Sequence, residues 1–84
     1  MEVQRLVEKC REYINKAYGE AIHSMNGSGN KRTRIINAEF NLGKYYAIME
    51  LLEDLDLDTF CSMNTETSEK RKTIMDSIEE LYSL

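Results

Sequence analysis

Several residue types are scarce in this sequence, and each shortage narrows what the chain can be. It contains no proline, no tryptophan, only two cysteines and a single histidine. Without proline, the strongest breaker of helices is absent. Cys10 and Cys61 lack the spacing of a zinc or redox motif, so we expect two free thiols in a reducing compartment. His23 has no second histidine to work with, and the sequence therefore offers no histidine-based catalytic site.

Long apolar runs are missing as well. No uninterrupted apolar stretch approaches the roughly 18 residues that a membrane-spanning helix requires. The N-terminus is charged from Glu2 onward and lacks the apolar segment of a signal peptide. We therefore expect a cytoplasmic protein that does not contact a membrane.

The residues that are present are typical of a small helical domain. Of 84 residues, 42% are hydrophobic and 31% are charged, and most of them belong to types that favour helices. Apolar residues recur at spacings of three and four, and no alternating strand pattern is visible. The length fits a single domain. The predicted helices cover residues 2 to 25, 33 to 55 and 66 to 82, joined by a glycine-rich basic loop at 26 to 32 and an acidic connector at 56 to 65.

The second predicted helix is apolar over more than one side, which places it in the centre of the domain or in an interface between copies. Gly43 interrupts this helix at a cost of about 1 kcal/mol relative to alanine, which points to the close approach of another helix or to a kink. We predict an all-α fold in which the first two helices form an antiparallel hairpin, the third packs across it, and copies of the chain associate. The residues expected at this homo-oligomer interface are Gly43, Tyr46, Ile48 and Leu51.

Charge is divided unevenly between the two halves of the chain. Residues 1–44 carry eight cations and five anions, a net charge of +3, whereas residues 45–84 carry three cations and ten anions, a net charge of −7. Opposite halves favour packing within the chain or contact between copies. They argue against broad, non-specific binding to DNA.

The loop between the first two predicted helices combines glycines with cations, in the sequence GSGNKRTR at positions 27 to 34. Thr33 is the expected N-cap of the second helix, whose unpaired N–H groups then lie beside the cations. The spacing of a Walker motif is absent. The hypothesis is a site for a nucleotide or nucleic acid, and the alternative is a soluble hinge. The predicted ligand-binding residues are Lys31, Arg32, Thr33 and Arg34 for a phosphate, with Tyr18 or Tyr45 stacking on a base.

A run of carboxylates closes the second predicted helix, at the end where the helix dipole disfavours them. Alternating aspartates also open a calcium-binding loop of the EF-hand type, but that loop needs a glycine and a glutamate where this sequence has Thr59 and Thr65. The run is therefore a solvated helix end or a docking surface for a basic protein. Its members are Glu50, Glu53, Asp54, Asp56 and Asp58.

Paired carboxylates raise one further alternative. Glu50 and Glu53 lie three residues apart on the second predicted helix, and Asp76 lies three and four residues before Glu79 and Glu80 on the third. If these faces met, they would resemble the Mg²⁺ sites of helical nucleotide pyrophosphatases. Such spacings are common by chance in acidic helices.

These patterns contain no motif for catalysis or for a cofactor, so we expect a non-enzymatic protein. Its size and composition are typical of small inhibitors and adaptors of phage or mobile-element origin, which act by occupying a surface of a protein partner. Inhibition or regulation of such a partner is the leading expectation. The alternatives are capture of a phosphate-bearing ligand by the basic loop and, more distantly, a Mg²⁺-dependent nucleotide hydrolase.

Overall fold

The protein is built from four α-helices, seen in a computed structural model that describes residues 2–25 and 30–83, apart from the side chains at 24, 25 and 81. The described part contains no β-strand, and the predicted all-α class is confirmed. The helices pack into a body of 39 × 18 × 15 Å. They are α1 (Val3–Met25), α2 (Lys31–Leu55), α3 (Leu57–Glu66) and α4 (Ser68–Tyr82).

The core forms mainly between α1 and α2, the pair of helices with the most extensive contact. Each helix supplies a buried row whose spacing alternates between three and four, the repeat that keeps one seam of a helix against its neighbour. The row of α1 consists of Val7, Cys10, Ile14, Ala17 and Ala21, with Leu6 beside it. The row of α2 consists of Ile35, Ala38, Leu42, Tyr45, Met49 and Leu52.

Polar contacts flank this seam. Arg34 of α2 forms an ion pair with Glu20 of α1, with 3.3 Å between Nη1 and Oε2. Further along α2, the Lys44 ammonium lies 5.1 Å from the centre of the Tyr13 ring of α1. These contacts fix which residues of the two helices face each other.

The structure has a helix, α3, over most of the segment predicted as an acidic connector. Asp56 both ends α2 and begins α3: its N–H donates to the Leu52 carbonyl (2.8 Å), and its Oδ1 accepts from the Thr59 N–H (3.2 Å). This N-cap allows a new helix to start directly after α2. In the sequence, Asp56 is one of three aspartates that alternate with leucines, so its role as an N-cap was not recognised. Asp58 lies in the first turn of α3, where the helix dipole favours its charge.

A single buried residue, Thr67, connects α3 to α4. Its hydroxyl donates to the Met63 carbonyl (2.9 Å), and the Tyr45 hydroxyl lies 2.5 Å from the same Oγ1. Because the threonine proton is committed to Met63, Tyr45 is the donor in the second bond. The last helix therefore begins at Ser68, two residues later than predicted, and the corner before it is attached to the middle of α2.

The two short helices complete the core with Met63 from α3 and Ile74 from α4. At the surface, the Arg11 guanidinium of α1 makes two hydrogen bonds of 2.8 Å to the Glu66 carboxylate at the end of α3. The hydrogen bond from Arg11 holds the pKa of Glu66 below its usual value. This pair connects α1 to the end of α3, but it is exposed to water and adds little to stability.

Candidate protein interface

The side of α2 that faces away from the core carries a second row of apolar residues. Its residues recur every three or four positions and lie about half a turn from the buried row, by the geometry of an α-helix. We call this row the outer strip. It consists of Ile36, Phe40, Gly43, Ala47, Leu51 and Leu55.

The large side chains of the outer strip are open to water. The exposed fractions are 53% for Ile36, 62% for Phe40, 45% for Leu51 and 55% for Leu55. At 1.5 Å per residue the strip is about 28 Å long. Single exposed apolar residues are ordinary, whereas a continuous apolar row is typical of binding surfaces. No helix in the described part of the chain combines the length and apolarity needed to span a membrane.

Two small residues form the middle of the strip. Gly43 and Ala47 are exposed and one helical turn apart. A Cβ atom placed on Gly43 would meet no atom within 4 Å, so packing inside the chain does not require a glycine there. Large side chains on both sides leave a shallow notch at this point, which permits the close approach of another helix.

Aromatic residues widen the apolar surface beside the strip. Tyr82 of α4 is 69% exposed, and its hydroxyl donates to Oε1 of Glu39 on α2 (2.8 Å). That bond holds the pKa of Tyr82 above its usual value. The exposed Tyr46 ring lies edge-on to the buried Tyr45 ring at 5.3 Å. Tyr46 and Tyr82 therefore add rings at the edge of the same surface.

Charged residues lie at the two ends of the outer strip. Arg32 is one turn before Ile36 and is exposed, whereas Glu50 and Asp54 are exposed on the same face near the other end. A ligand that covers the strip therefore meets a cation at one end and carboxylates at the other. This polarity gives the surface a direction as well as an apolar centre.

The interface residues predicted from sequence divide between two environments. Gly43 and Leu51 belong to the outer strip, and Tyr46 lies at its edge, but Ile48 packs against the core. Ile36 and Phe40 are the strongest additions that sequence reasoning missed. The detectable signal was a second row of apolar positions, half a turn from the heptad-like row that forms the core.

The N-terminus of α2 differs from the predicted phosphate site. The N-cap is Asn30 and not Thr33, because Asn30 Oδ1 accepts from the Thr33 N–H (3.1 Å). The helix therefore starts at Lys31, inside the segment predicted as loop. The two glycines of that loop, Gly27 and Gly29, lie outside the described residues. The Thr33 N–H group at the start of α2 is thus already bonded to a side chain.

The predicted phosphate-binding side chains are not gathered around one point. Arg34 is paired with Glu20, Lys31 is half-buried, and only Arg32 and Thr33 are exposed. Tyr45 is fully buried and lies about 18 Å along α2 from Thr33, so it cannot stack on a bound base. Tyr18 is half-buried, with the Lys70 ammonium 5.6 Å from its ring centre.

The carboxylates predicted to form an acidic surface are mostly where a partner can reach them. Glu50, Glu53, Asp54 and Asp58 are exposed, whereas Asp56 is half-buried and occupied as the N-cap of α3. Among the described residues, no three histidine, cysteine, aspartate or glutamate side chains are close enough to hold a metal ion. The described residues therefore contain no metal site of the kind considered as a distant alternative, in which the two helical carboxylate pairs, including Asp76, Glu79 and Glu80, would meet.

Comparison with models of protein families, with curated proteins and with solved structures finds no significant match to this chain. The features of the chain that bear on its function are therefore the outer strip and the charges at its ends.

Proposed function

We propose that this protein is a non-enzymatic binding protein whose protein-binding surface is the outer strip of α2. The observation that carries the proposal is the row of four large apolar side chains that are between 45% and 62% exposed. Covering apolar surface releases about 25 cal/mol for each Å² removed from water. Covering this row with a partner therefore lowers the free energy relative to leaving it in water.

The strip lies on a rigid element. The opposite face of α2 is locked into the core by Tyr45 and Leu52, both completely buried, and the Tyr45 hydroxyl is bonded to Thr67. A helix held in this way loses little conformational freedom when its other face is covered. Anchors spaced by three and four residues fit the mode in which a helix lies in an apolar groove.

The arrangement of α1 and α2 supports the same surface. Arg34 faces Glu20, and Lys44, ten residues later on α2, faces Tyr13, which is seven residues earlier on α1. We infer an antiparallel hairpin from this order. In such a hairpin α1 covers one side of α2 and leaves the outer strip open along its full length.

The mode of action that we propose is inhibition or regulation by occupying a surface of a protein partner. A specific interface needs about 800 Å² from each partner. The side of a body that is 39 Å long and 18 Å wide can supply surface on that scale. The partner surface would be an apolar groove. The exposed carboxylates Glu50 and Asp54 favour a groove whose corresponding end is basic.

Site-specific photo-crosslinking tests this proposal. A photoreactive phenylalanine analogue would be placed at Phe40 in the strip and, as a control, at the exposed Glu8 on α1. Irradiation in the cells that naturally make the protein should give adducts of defined mass at position 40 and not at position 8. Mass spectrometry identifies the bound protein. The proposal fails if both positions give the same adducts or if position 40 gives none.

A further inference from the structure

The charges of α2 are arranged in a self-complementary way. Residues 31–44 carry four cations and one anion, whereas residues 45–55 carry three anions and no cation. The helix is therefore neutral as a whole, with a net charge of +3 on its first part and −3 on its second. The cations are Lys31, Arg32, Arg34 and Lys44, and the anions are Glu39, Glu50, Glu53 and Asp54.

This arrangement of charges destabilises α2 when the helix is considered alone. The first turn has no acidic residue and the last turn has no basic residue, so the charges at both ends oppose the helix dipole. In the described part of the chain, ion pairs do not correct this for Arg32, Glu50, Glu53 or Asp54. The fold alone therefore does not explain the charge pattern of α2.

We propose that the outer strip binds a second copy of this chain, with the two α2 helices antiparallel about a two-fold axis that passes between Gly43 and Ala47, level with position 45. The inference rests on the proposed protein-binding role of the strip and makes a second copy its occupant, which an inhibited protein would have to displace. In this arrangement, positions whose numbers add up to about 90 face each other. Gly43 of one protomer lies against the partner's Ala47, and Ala47 lies against the partner's Gly43.

The small residues lie where this arrangement needs them. The two helices cross at the notch formed by Gly43 and Ala47, where no large side chain holds them apart. Helix axes can approach to about 8 Å at such a point. On each side of the notch, Phe40 then packs beside the partner's Leu51. Because the two-fold axis repeats this contact, the apolar residues on both sides of the notch are covered.

The charges select the antiparallel direction. In antiparallel pairing, the basic end that contains Arg32 meets the acidic end that contains the partner's Asp54, and the same contact forms twice. Parallel pairing places cations against cations and carboxylates against carboxylates. Contacts between like charges disfavour that arrangement. The polarity of α2 therefore favours a second copy, whose strip carries both the matching apolar row and the opposite charge at each end.

Thiol crosslinking tests the direction of pairing. In a chain with the exposed Cys61 changed to serine, one variant carries Ile36→Cys and another carries Asp54→Cys. Antiparallel pairing brings positions 36 and 54 together but holds two copies of position 36 about 27 Å apart. Oxidation should therefore crosslink the equilibrated mixture of the two variants, while each variant alone stays uncrosslinked. A mixture of Ile36→Cys with Glu8→Cys is the matched negative control.

The possible results separate this inference from the proposed function. Crosslinking of each variant alone, with adducts in the mixture only between copies of the same variant, would mean parallel pairing and would overturn the inference. Sedimentation of the unmodified chain as a monomer at every concentration would overturn it as well. In that case, adducts of Phe40 with a different protein in cells would leave the proposed function standing. Adducts of position 40 with a second copy alone would instead support the pairing and remove the separate partner.

A charge variant gives an independent measurement on the same contact. Changing Glu50 and Asp54 together to lysine makes both ends of the strip basic while leaving its apolar residues in place. The dissociation constant of the dimer should then rise at least about tenfold. Glu8→Lys on α1 should leave it unchanged. Equal dissociation constants for all three proteins would show that charge does not direct the pairing.

Discussion

Two faces of α2 each carry a row of apolar residues, yet only one of these rows packs into the core. On the inner face, every buried side chain is at most 6% exposed and packs against the other helices. On the outer face, the large side chains of the strip are about half exposed. Neighbouring residues of the same type, Leu51 and Leu52, fall on opposite faces. Hydrophobicity alone therefore does not tell which row of a helix makes the core.

The inner row differs from the outer row because its side chains have partners on other elements of the chain. Its spacing matches the buried row of α1, and its one polar side chain, Tyr45, has a partner at the Thr67 corner. The outer row has no counterpart elsewhere in the described chain, and its middle is formed by Gly43 and Ala47. A core row thus finds its complement inside the chain. A row that lacks one is available for binding.

Truncating the two adjacent leucines should give the largest difference between the faces. Leu52 is completely buried, so Leu52→Ala should lower the free energy of unfolding by about 2 to 5 kcal/mol through lost burial and a cavity. Leu51 is 45% exposed, and Leu51→Ala should change the unfolding of the monomer by no more than about 0.5 kcal/mol. Urea denaturation of dilute protein measures both values. Equal losses would mean that the outer row also belongs to the core.

The next largest effect concerns Cys10, which lies in the buried row of α1 and next to Tyr45. Burial raises its thiol pKa from 9.0 to about 11. The thiol form is favoured in the folded state, so this stabilisation is complete below pH 9 and is lost as the pH rises towards 11. The free energy of unfolding should fall by about 2 to 3 kcal/mol over that range.

Two cysteine variants isolate this effect from other groups that titrate in alkali. Cys10→Ala should have a flatter dependence of unfolding free energy on pH between 9 and 11. Cys61→Ala should keep the full dependence, because it leaves the buried Cys10 thiol in place. A thiol reagent should label Cys61 in the native protein and reach Cys10 only on unfolding. Fast labelling of both would contradict the buried position of Cys10.

The neighbouring tyrosines give a smaller contrast. Tyr45→Phe removes the buried hydrogen bond to Thr67 and should lower the free energy of unfolding by about 1 kcal/mol. Thr67 keeps its bonds to Met63 and Arg71, which limits the loss. Tyr46→Phe should have almost no effect, since that side chain is 46% exposed. Chemical denaturation of the two variants side by side decides whether the hydroxyl at 45 anchors the corner.

The general fold could be predicted from sequence because the buried rows of α1 and α2 follow helical spacing closely. The second half was harder to predict. Asp56 was assigned to a connector, although an aspartate that accepts from the N–H group three residues later is a helix start. The charge of Asp58 was expected to oppose the dipole of the second helix, but Asp58 lies in the first turn of α3, where the dipole favours it. A break of one residue between two helices leaves almost no trace in composition.

The candidate interface could be predicted only in part. An excess of apolar residues on α2 was visible, but the partition between faces depends on where α1, α3 and α4 lie. Ile48 was therefore assigned to an interface although it packs against the core, and Phe40 was overlooked. Tyr45 was assigned to a ligand site although the Thr67 corner occupies its hydroxyl. Tertiary packing decides these three cases, and local spacing does not.

The smallest effect that we predict concerns the glycine in the middle of the outer strip. A Cβ on Gly43 would contact nothing within 4 Å, and the same is true of Gly19 in α1. Alanine at either position should raise the free energy of unfolding of the monomer by about 0.5 to 1 kcal/mol, because glycine weakens a helix interior. Only Gly43→Ala should also weaken association, since it adds a methyl group at the proposed crossing point. Denaturation of dilute protein and sedimentation of concentrated protein measure the two effects separately. A loss of monomer stability in Gly43→Ala would show that this glycine serves the fold and not the surface.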